Sequence, residues 1–250
     1  LGGVFYWTGF DYRGESNPMV YPATGSQFGV LDYCGFPKDE AFYLKSWWTD
    51  EPVLHIFPHW NLKGHEGEKV DVWAYSNMDE VELFVNGKSL GRKAMPKNGH
   101  LSWEAVYKPG TVKAIGYKNG KKAMETKIET TGEPARLELT ADRKNIKADN
   151  ADVSVLAVKV VDKKGRFVPD ANIPVNITVE GPARILGVGN GDPTFKAAER
   201  PTDGVGKTFT VNTFNGLAQI LIQSGAEAGE SLVTVTSEDV PAGTITIRAN

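Results

Sequence analysis

The stretch LGGVFYWTGFDYRGE, Leu1 to Glu15, runs from an apolar segment into an aromatic and acidic loop. Trp7 sits where that segment meets the polar loop. An indole in such a place suits stacking on the apolar face of a sugar ring, because it offers much contact area at little conformational cost. The competing reading is that Trp7 is core, the usual fate of large aromatic residues. Asp11 and Glu15 lie four residues apart in the loop. A carboxylate pair that cleaves a glycosidic bond with retention flanks that bond, about 5–5.5 Å apart. Two acids on one short loop fit that geometry poorly. Hydrogen bonds to a ligand, or an ion pair with Arg13, fit the spacing better.

Other chemistries have thinner support. His55 and His59 stand four apart in HIFPH. Pro58 breaks the helix that would bring them to one face, and no cysteine or acid cluster completes a zinc set. GVGNGDP, Gly187 to Pro193, holds a G-x-G-x-G, but a proline follows it where a dinucleotide loop needs a helix. Asn190 and Asp192 in it are candidate calcium ligands, too few for a site by themselves. Cys34 is the sole cysteine, so an internal disulfide is excluded. The sequence points to no cofactor and no metal.

These residues must be positioned by elements that the pattern foretells. Pro37-Lys38-Asp39-Glu40 predicts a helix start, with proline in the first turn and acids at the positive end of the dipole. Leu44, Trp47 and Trp48 follow at helical spacing and are expected to dock residues 1–50 on the segment behind them. From Glu51 onward the pattern turns β. In VDVWAY, Val70, Val72 and Ala74 alternate with Trp73 and Tyr75. VELFVNGKSLG and YKNGKK each hold an Asn-Gly pair, the signature of a type I′ hairpin. In the first hairpin Leu83 is expected to face Leu90. TTGEPA, Thr130 to Ala135, reads as a boundary. Beyond it VSVLAVKVVD, PVNITVEG, LAQILIQSG, ESLVTVTS and TITIRA continue the strands, with a polar turn at Lys163 to Arg166.

With 250 residues, the chain has room for one large or two ordinary domains. A formal charge of -3 disfavours nucleic acid, which needs a basic face. No apolar run reaches the length of a membrane span. An alternative to catalysis is a carbohydrate-binding or purely structural β-sandwich module. Trp60, Trp73 and Trp103 are candidate aromatic grips, with strand core as the competing place for Trp73 and Trp103.

Three stretches resemble one family in its own order. GVFYWTGFDYRGE with SQFGVLDYCGFPKDEAFYLKSWW is similar to the end of the catalytic barrel in glycoside hydrolase family 2, of the β-galactosidase type. VELFVNGKSLG resembles the β domain after the barrel. DKKGRFVPDANIPVNITVEGPARILGVGNGDP resembles the bacterial Ig-like domain that closes such chains. The resemblance implies a mainly β fold: two consecutive Ig-like β-sandwich domains preceded by the last strand and helix of a (β/α)8 barrel. It sets the bounds at 1–51, 52–131 and 132–250.

It further implies that Trp7 lines the sugar subsite at the C-terminal end of the last barrel strand, with substrate contacts from Asp11 and Glu15. The family's two catalytic glutamates lie on earlier strands, so no residue here inherits either role. The parent enzyme would be a retaining glycosidase acting on terminal β-linked sugars, chiefly β-galactosides, and this segment alone would be inactive. The expected partner is a β-linked oligosaccharide or glycan; a homo-oligomer is left open. The expected location is periplasmic or secreted in a bacterium, with any signal upstream. Phe5, Trp7 and Phe10 should stand partly uncovered without barrel neighbours.

Overall fold

The structure, a computed structural model, describes residues 2–16, 19–196, 199–238 and 240–250. Leu1, the first residue of the expected barrel strand, lies outside them. The chain divides into two compact units: residues 37–131, and residues 132–250 together with the segment before Pro37. The division therefore runs through the first 51 residues, between Phe36 and Pro37.

In the segment before Pro37 the regular pieces are β1 (Tyr12–Arg13) and β2 (Gly25–Ser26), paired antiparallel. The unit 37–131 holds α1 (Asp39–Trp48), β3 (Leu54–Phe57), β4 (Lys69–Ser76), β5 (Glu80–Val85), β6 (Lys88–Ala94), β7 (Leu101–Val106), β8 (Thr111–Lys118) and β9 (Lys121–Glu129). Residues 132–250 hold β10 (Arg136–Ala141), β11 (Asn145–Ile146), β12 (Val153–Val161), β13 (Pro174–Glu180) and β14 (Arg184–Gly189). They close with β15 (Thr208–Asn212), β16 (Leu217–Gln223), β17 (Gly229–Ser237) and β18 (Val240–Ala249).

The unit 37–131 is a two-sheet sandwich of β3-β4-β7 and β6-β5-β8-β9. Its strands follow from period-2 alternation: Val72 and Ala74 of β4 are buried against Val81, Leu83, Val112 and Ala114 of the other sheet. Burying each of these valine and leucine side chains is worth about 1.5–3 kcal/mol. Asn86 and Gly87 take φ of 49° and 82°, and Asn119 and Gly120 take 51° and 74°, as the two hairpin tips require. In the first hairpin Glu82 pairs with Arg92 and Phe84 with Ser89, so a bulge sets Leu90 and Gly91 together opposite Leu83.

Trp60 and Trp103 are core residues, at 0% and 3% exposure. The Trp60 indole N–H donates to the Lys108 carbonyl at 3.0 Å, and that of Trp103 to the Gly91 carbonyl at 3.1 Å. Neither can grip a polysaccharide. Trp73 and Tyr75 stand on the opposite face of β4 from Val72 and Ala74, among the rings of Phe57 and His100.

The helix α1 carries Asp39 and Glu40 in its first turn and Lys45 in its last. It meets the sandwich through Phe42, stacked on His55 at 3.9 Å, and Tyr43, edge-on to Tyr75 at 5.3 Å. Trp48 is 67% exposed, which corrects the expectation that it docks the helix. Its place in the last turn leaves it beyond the rings of β3 and β4 that Phe42 and Tyr43 reach.

Residues 132–250 form a second sandwich, of sheets β10-β12-β16-β14 and β11-β18-β17-β13-β15. Its ladders are antiparallel except the short parallel pairing of β11 with β18. Alternate residues of β12 and β16, Leu156, Val158, Ala218 and Ile220, face Ile177, Val233 and Ile247 across one apolar core.

Candidate functional site

Residues 2–9 form no regular strand. Their continuation is held by residues 28–31: Val30 N–H donates to Thr8 O at 3.2 Å, Leu31 to Gly9 at 2.9 Å and Asp11 to Leu31 at 2.9 Å. Phe10 and Leu31 form an isolated parallel bridge. Gly29 makes this approach feasible, since a Cβ there would lie 2.2 Å from the Asp11 nitrogen. Up to and including the bridge the large apolar side chains face solvent, with Phe5 fully exposed, Trp7 72% and Phe10 54%. A parallel strand is normally covered on both faces, so this run is short of neighbours within the unit.

Trp7 is held by its edge. Its indole N–H donates to the Tyr12 hydroxyl at 3.2 Å, and the Tyr12 ring meets it at 82° with centroids 6.2 Å apart. The Trp7–Thr8 peptide bond is cis. Asp11 turns the other way. It is 7% exposed, and its carboxylate accepts the Gly29 N–H at 2.9 Å, tying the loop to the bridge. Glu15 is exposed, and its carbonyl accepts the Ser26 hydroxyl. Sequence spacing thus places Trp7 and Asp11 on one loop, but the fold directs the indole outward and the carboxylate inward.

Arg13, beside Tyr12 in β1, reaches into the C-terminal sandwich. Its guanidinium donates to Thr24 Oγ1 at 2.6 Å, to the Phe195 carbonyl at 2.9 Å and to the Glu199 carboxylate. It also lies over the Tyr33 ring at 4.8 Å. Thr24 in turn donates its N–H to the Pro193 carbonyl at 3.0 Å. Burial pushes the Tyr33 phenol up; Arg13 opposes this, while Asp11 and Glu199 add to it. Sequence reasoning did not find Glu199, Thr24 or Tyr33. Nothing local marks a partner 186 residues away.

Behind the loop, Asp32 closes a five-residue turn. Its carboxylate accepts the N–H groups of Cys34 and Phe36, and Gly35 takes φ of 81°. Asp162 repeats this device: its carboxylate accepts Lys164 and Arg166 N–H groups, with Gly165 at 77°. The shared D-x-x-G-x spelling, DYCGF and DKKGR, is the sequence signal for both. The Cys34 thiol is pushed up to about 12, first by burial and then by the Asp32 charge.

The four histidines, Asn190 and Asp192 have local partners. His55 Nε2 lies 2.7 Å from Asp39 Oδ1, His65 Nδ1 lies 2.9 Å from Glu68, His59 accepts the Asn61 N–H, and His100 stacks on Trp73. Asn190 accepts the Asp192 N–H, and Asp192 accepts from the N–H and hydroxyl of Thr194. Among the described residues no cluster of three or more His, Cys, Asp or Glu could hold a metal, and no helix is long and apolar enough to cross a membrane.

Comparison with known proteins places the chain in a family. Residues 137–246 match the glycoside hydrolase family 2 C-terminal domain 5, and residues 67–124 match a domain of unknown function, DUF4982. The chain is 43% identical over its whole length to beta-galactosidase BoGH2A of Bacteroides ovatus, of which it spans 28%. It is 32% identical, over 80% of its length, to a putative beta-glucuronidase of Formosa agariphila, of which it spans 20%. A crystal structure of a beta-glycosidase from Bacteroides vulgatus superposes on 96% of the chain with a TM-score of 0.88 and 33% identity, using 30% of that protein. A glycosyl hydrolase family 2 member from Bacteroides cellulosilyticus covers 98% of the chain and 35% of its own, with a TM-score of 0.89 and 31% identity. The family's sequence pattern and its fold therefore extend over both sandwiches and the Trp7 loop, and the chain belongs to glycoside hydrolase family 2, matching the C-terminal region of its members.

Proposed function

We propose that the chain is the C-terminal part of a retaining glycosidase that removes terminal β-linked sugars, with β-galactosides as the preferred class. The observation that carries this is the 43% identity to a named beta-galactosidase across every residue of the chain. In this reading residues 1–51 complete the catalytic barrel, and the sandwiches at 52–131 and 132–250 support it. Trp7 forms a wall of the sugar subsite: its edge is fixed by Tyr12 and most of its surface is open. Glu15 lies exposed in the same loop for hydrogen bonds to the sugar, and Asp11 contributes by holding that loop. The acid that protonates the leaving oxygen and the carboxylate that attacks the anomeric carbon are supplied from upstream. The setting is periplasmic or extracellular.

The test is hydrolysis of aryl β-galactosides and aryl β-glucuronides by the 250-residue chain and by the gene product that includes the upstream region. The longer protein should turn over the galactoside, and the 250-residue chain should not. In the longer protein, Trp7→Ala should lower kcat/KM by about 10- to 100-fold, the loss expected for one stacking aromatic and its positioning. Faster turnover of the glucuronide would move the substrate class, and activity in the short chain would overturn the assignment of catalysis to upstream residues.

A further inference from the structure

We propose that Glu199, in the C-terminal sandwich, is a positioning residue for Trp7 and acts through Arg13 and Tyr12. The inference rests on the reading of Trp7 as a subsite wall. The path is short and continuous. Glu199 is anchored to β14, because its carbonyl accepts the Val188 N–H at 2.6 Å. Its carboxylate meets the Arg13 guanidinium, which also donates to the Phe195 carbonyl in the same stretch of chain. Arg13 pairs with Gly25 and Tyr12 with Ser26 in the β1–β2 ladder. The Tyr12 hydroxyl then accepts the Trp7 indole N–H at 3.2 Å.

An isolated ion pair at this exposure, 36% and 50% for the two side chains, would contribute little. Arg13 is different because one guanidinium binds a carboxylate, a carbonyl and a hydroxyl in fixed directions. Thr24, opposite in the same loop, bonds the Pro193 carbonyl through both its N–H and its hydroxyl, at 3.0 and 3.1 Å. Two separate points of the loop are thus fastened to Pro193, Phe195 and Glu199. An otherwise exposed loop acquires one position, and with it the indole. The sandwich at 132–250 is then a working part of the subsite, and its loop sequence sets how Trp7 meets the sugar.

The test uses 5-fluorotryptophan incorporated into the 250-residue chain, whose six tryptophans give six fluorine resonances, with Trp7 assigned by Trp7→Phe. Glu199→Gln should shift or broaden the Trp7 resonance, leave the other five in place and keep Tm. Tyr12→Phe should perturb the same resonance. In the longer gene product, Glu199→Gln should raise KM for the aryl glycoside about 3- to 10-fold with little change in kcat. A Trp7 resonance unmoved by Glu199→Gln, or moved together with the other five, overturns the positioning role. If the longer product proves inactive on every aryl β-glycoside, the functional reading falls, and the fluorine spectrum still decides whether Glu199 places the indole.

Discussion

Replacing Asp162 by alanine should unlock the opening of the C-terminal sandwich. The carboxylate is 2% exposed and accepts N–H groups from Gly132, Lys164 and Arg166, all at 2.9 Å. The Arg166 guanidinium adds two more bonds, from Nε at 2.9 Å and a terminal nitrogen at 2.6 Å. Burial opposes the charge, but these donors outweigh it and hold the carboxyl well below the usual range. Breaking a buried hydrogen-bonded pair from one side costs about 3–5 kcal/mol. Gly132 and Lys164 are exposed, so water replaces part of what their N–H groups lose. The expected cost is therefore about 2–4 kcal/mol, or about 5–15 °C in Tm for a unit of this size. The folded pKa is depressed, so this stabilisation is complete above the unfolded pKa near 4 and is lost progressively as pH falls from there through the folded value. The gap between wild type and Asp162→Ala should be widest at pH 7 and clearly smaller at about pH 2.5. Calorimetry or circular dichroism is the assay, because Trp7 is the one tryptophan in this unit and stands 72% exposed, and the other five lie in residues 37–131. An equal gap at both pH values, or a loss under about 0.5 kcal/mol, would refute the reasoning.

Two further outcomes follow from burial. Trp60→Ala should cost about 3–5 kcal/mol and lower the Tm of the 37–131 sandwich, whereas Trp48→Ala should stay within about 0.5 kcal/mol; equal effects on thermal melting would contradict the packing described. The Cys34 thiol, raised to about 12, should resist iodoacetamide at pH 8 at least about 10-fold more than in urea, as followed by mass spectrometry. With its folded pKa raised, its burial stabilises fully below about pH 8.5, and that contribution declines as pH climbs toward the folded value.

Local chemistry was legible wherever a short stretch answers for itself. Asn86-Gly87 and Asn119-Gly120 spell turns that need positive φ, and both take it. VDVWAY alternates, and β4 buries the residues that the alternation selects. The helix start follows from Pro37 and the two acids after it. Packing partners were not legible. Trp48 shares a helical stripe with Leu44 and Trp47 but stands exposed, and Phe42 and Tyr43, off that stripe, reach the sheet's rings. Trp60 was a candidate grip by type, and it fills the core, where the Tyr107 ring meets it edge-on at 5.1 Å and the Lys108 carbonyl takes its indole N–H.

The sequence by itself determined a strand-rich chain, its hairpin tips and its helix. These depend on spacing within about ten residues and on φ preferences, which a short segment expresses alone. Only the tertiary structure decided that Trp7 faces outward while Asp11 faces inward, and that Arg13 finds its carboxylate at Glu199. Such pairings join residues far apart in the chain, and their geometry exists only after both sheets of the C-terminal sandwich have closed around a common apolar core.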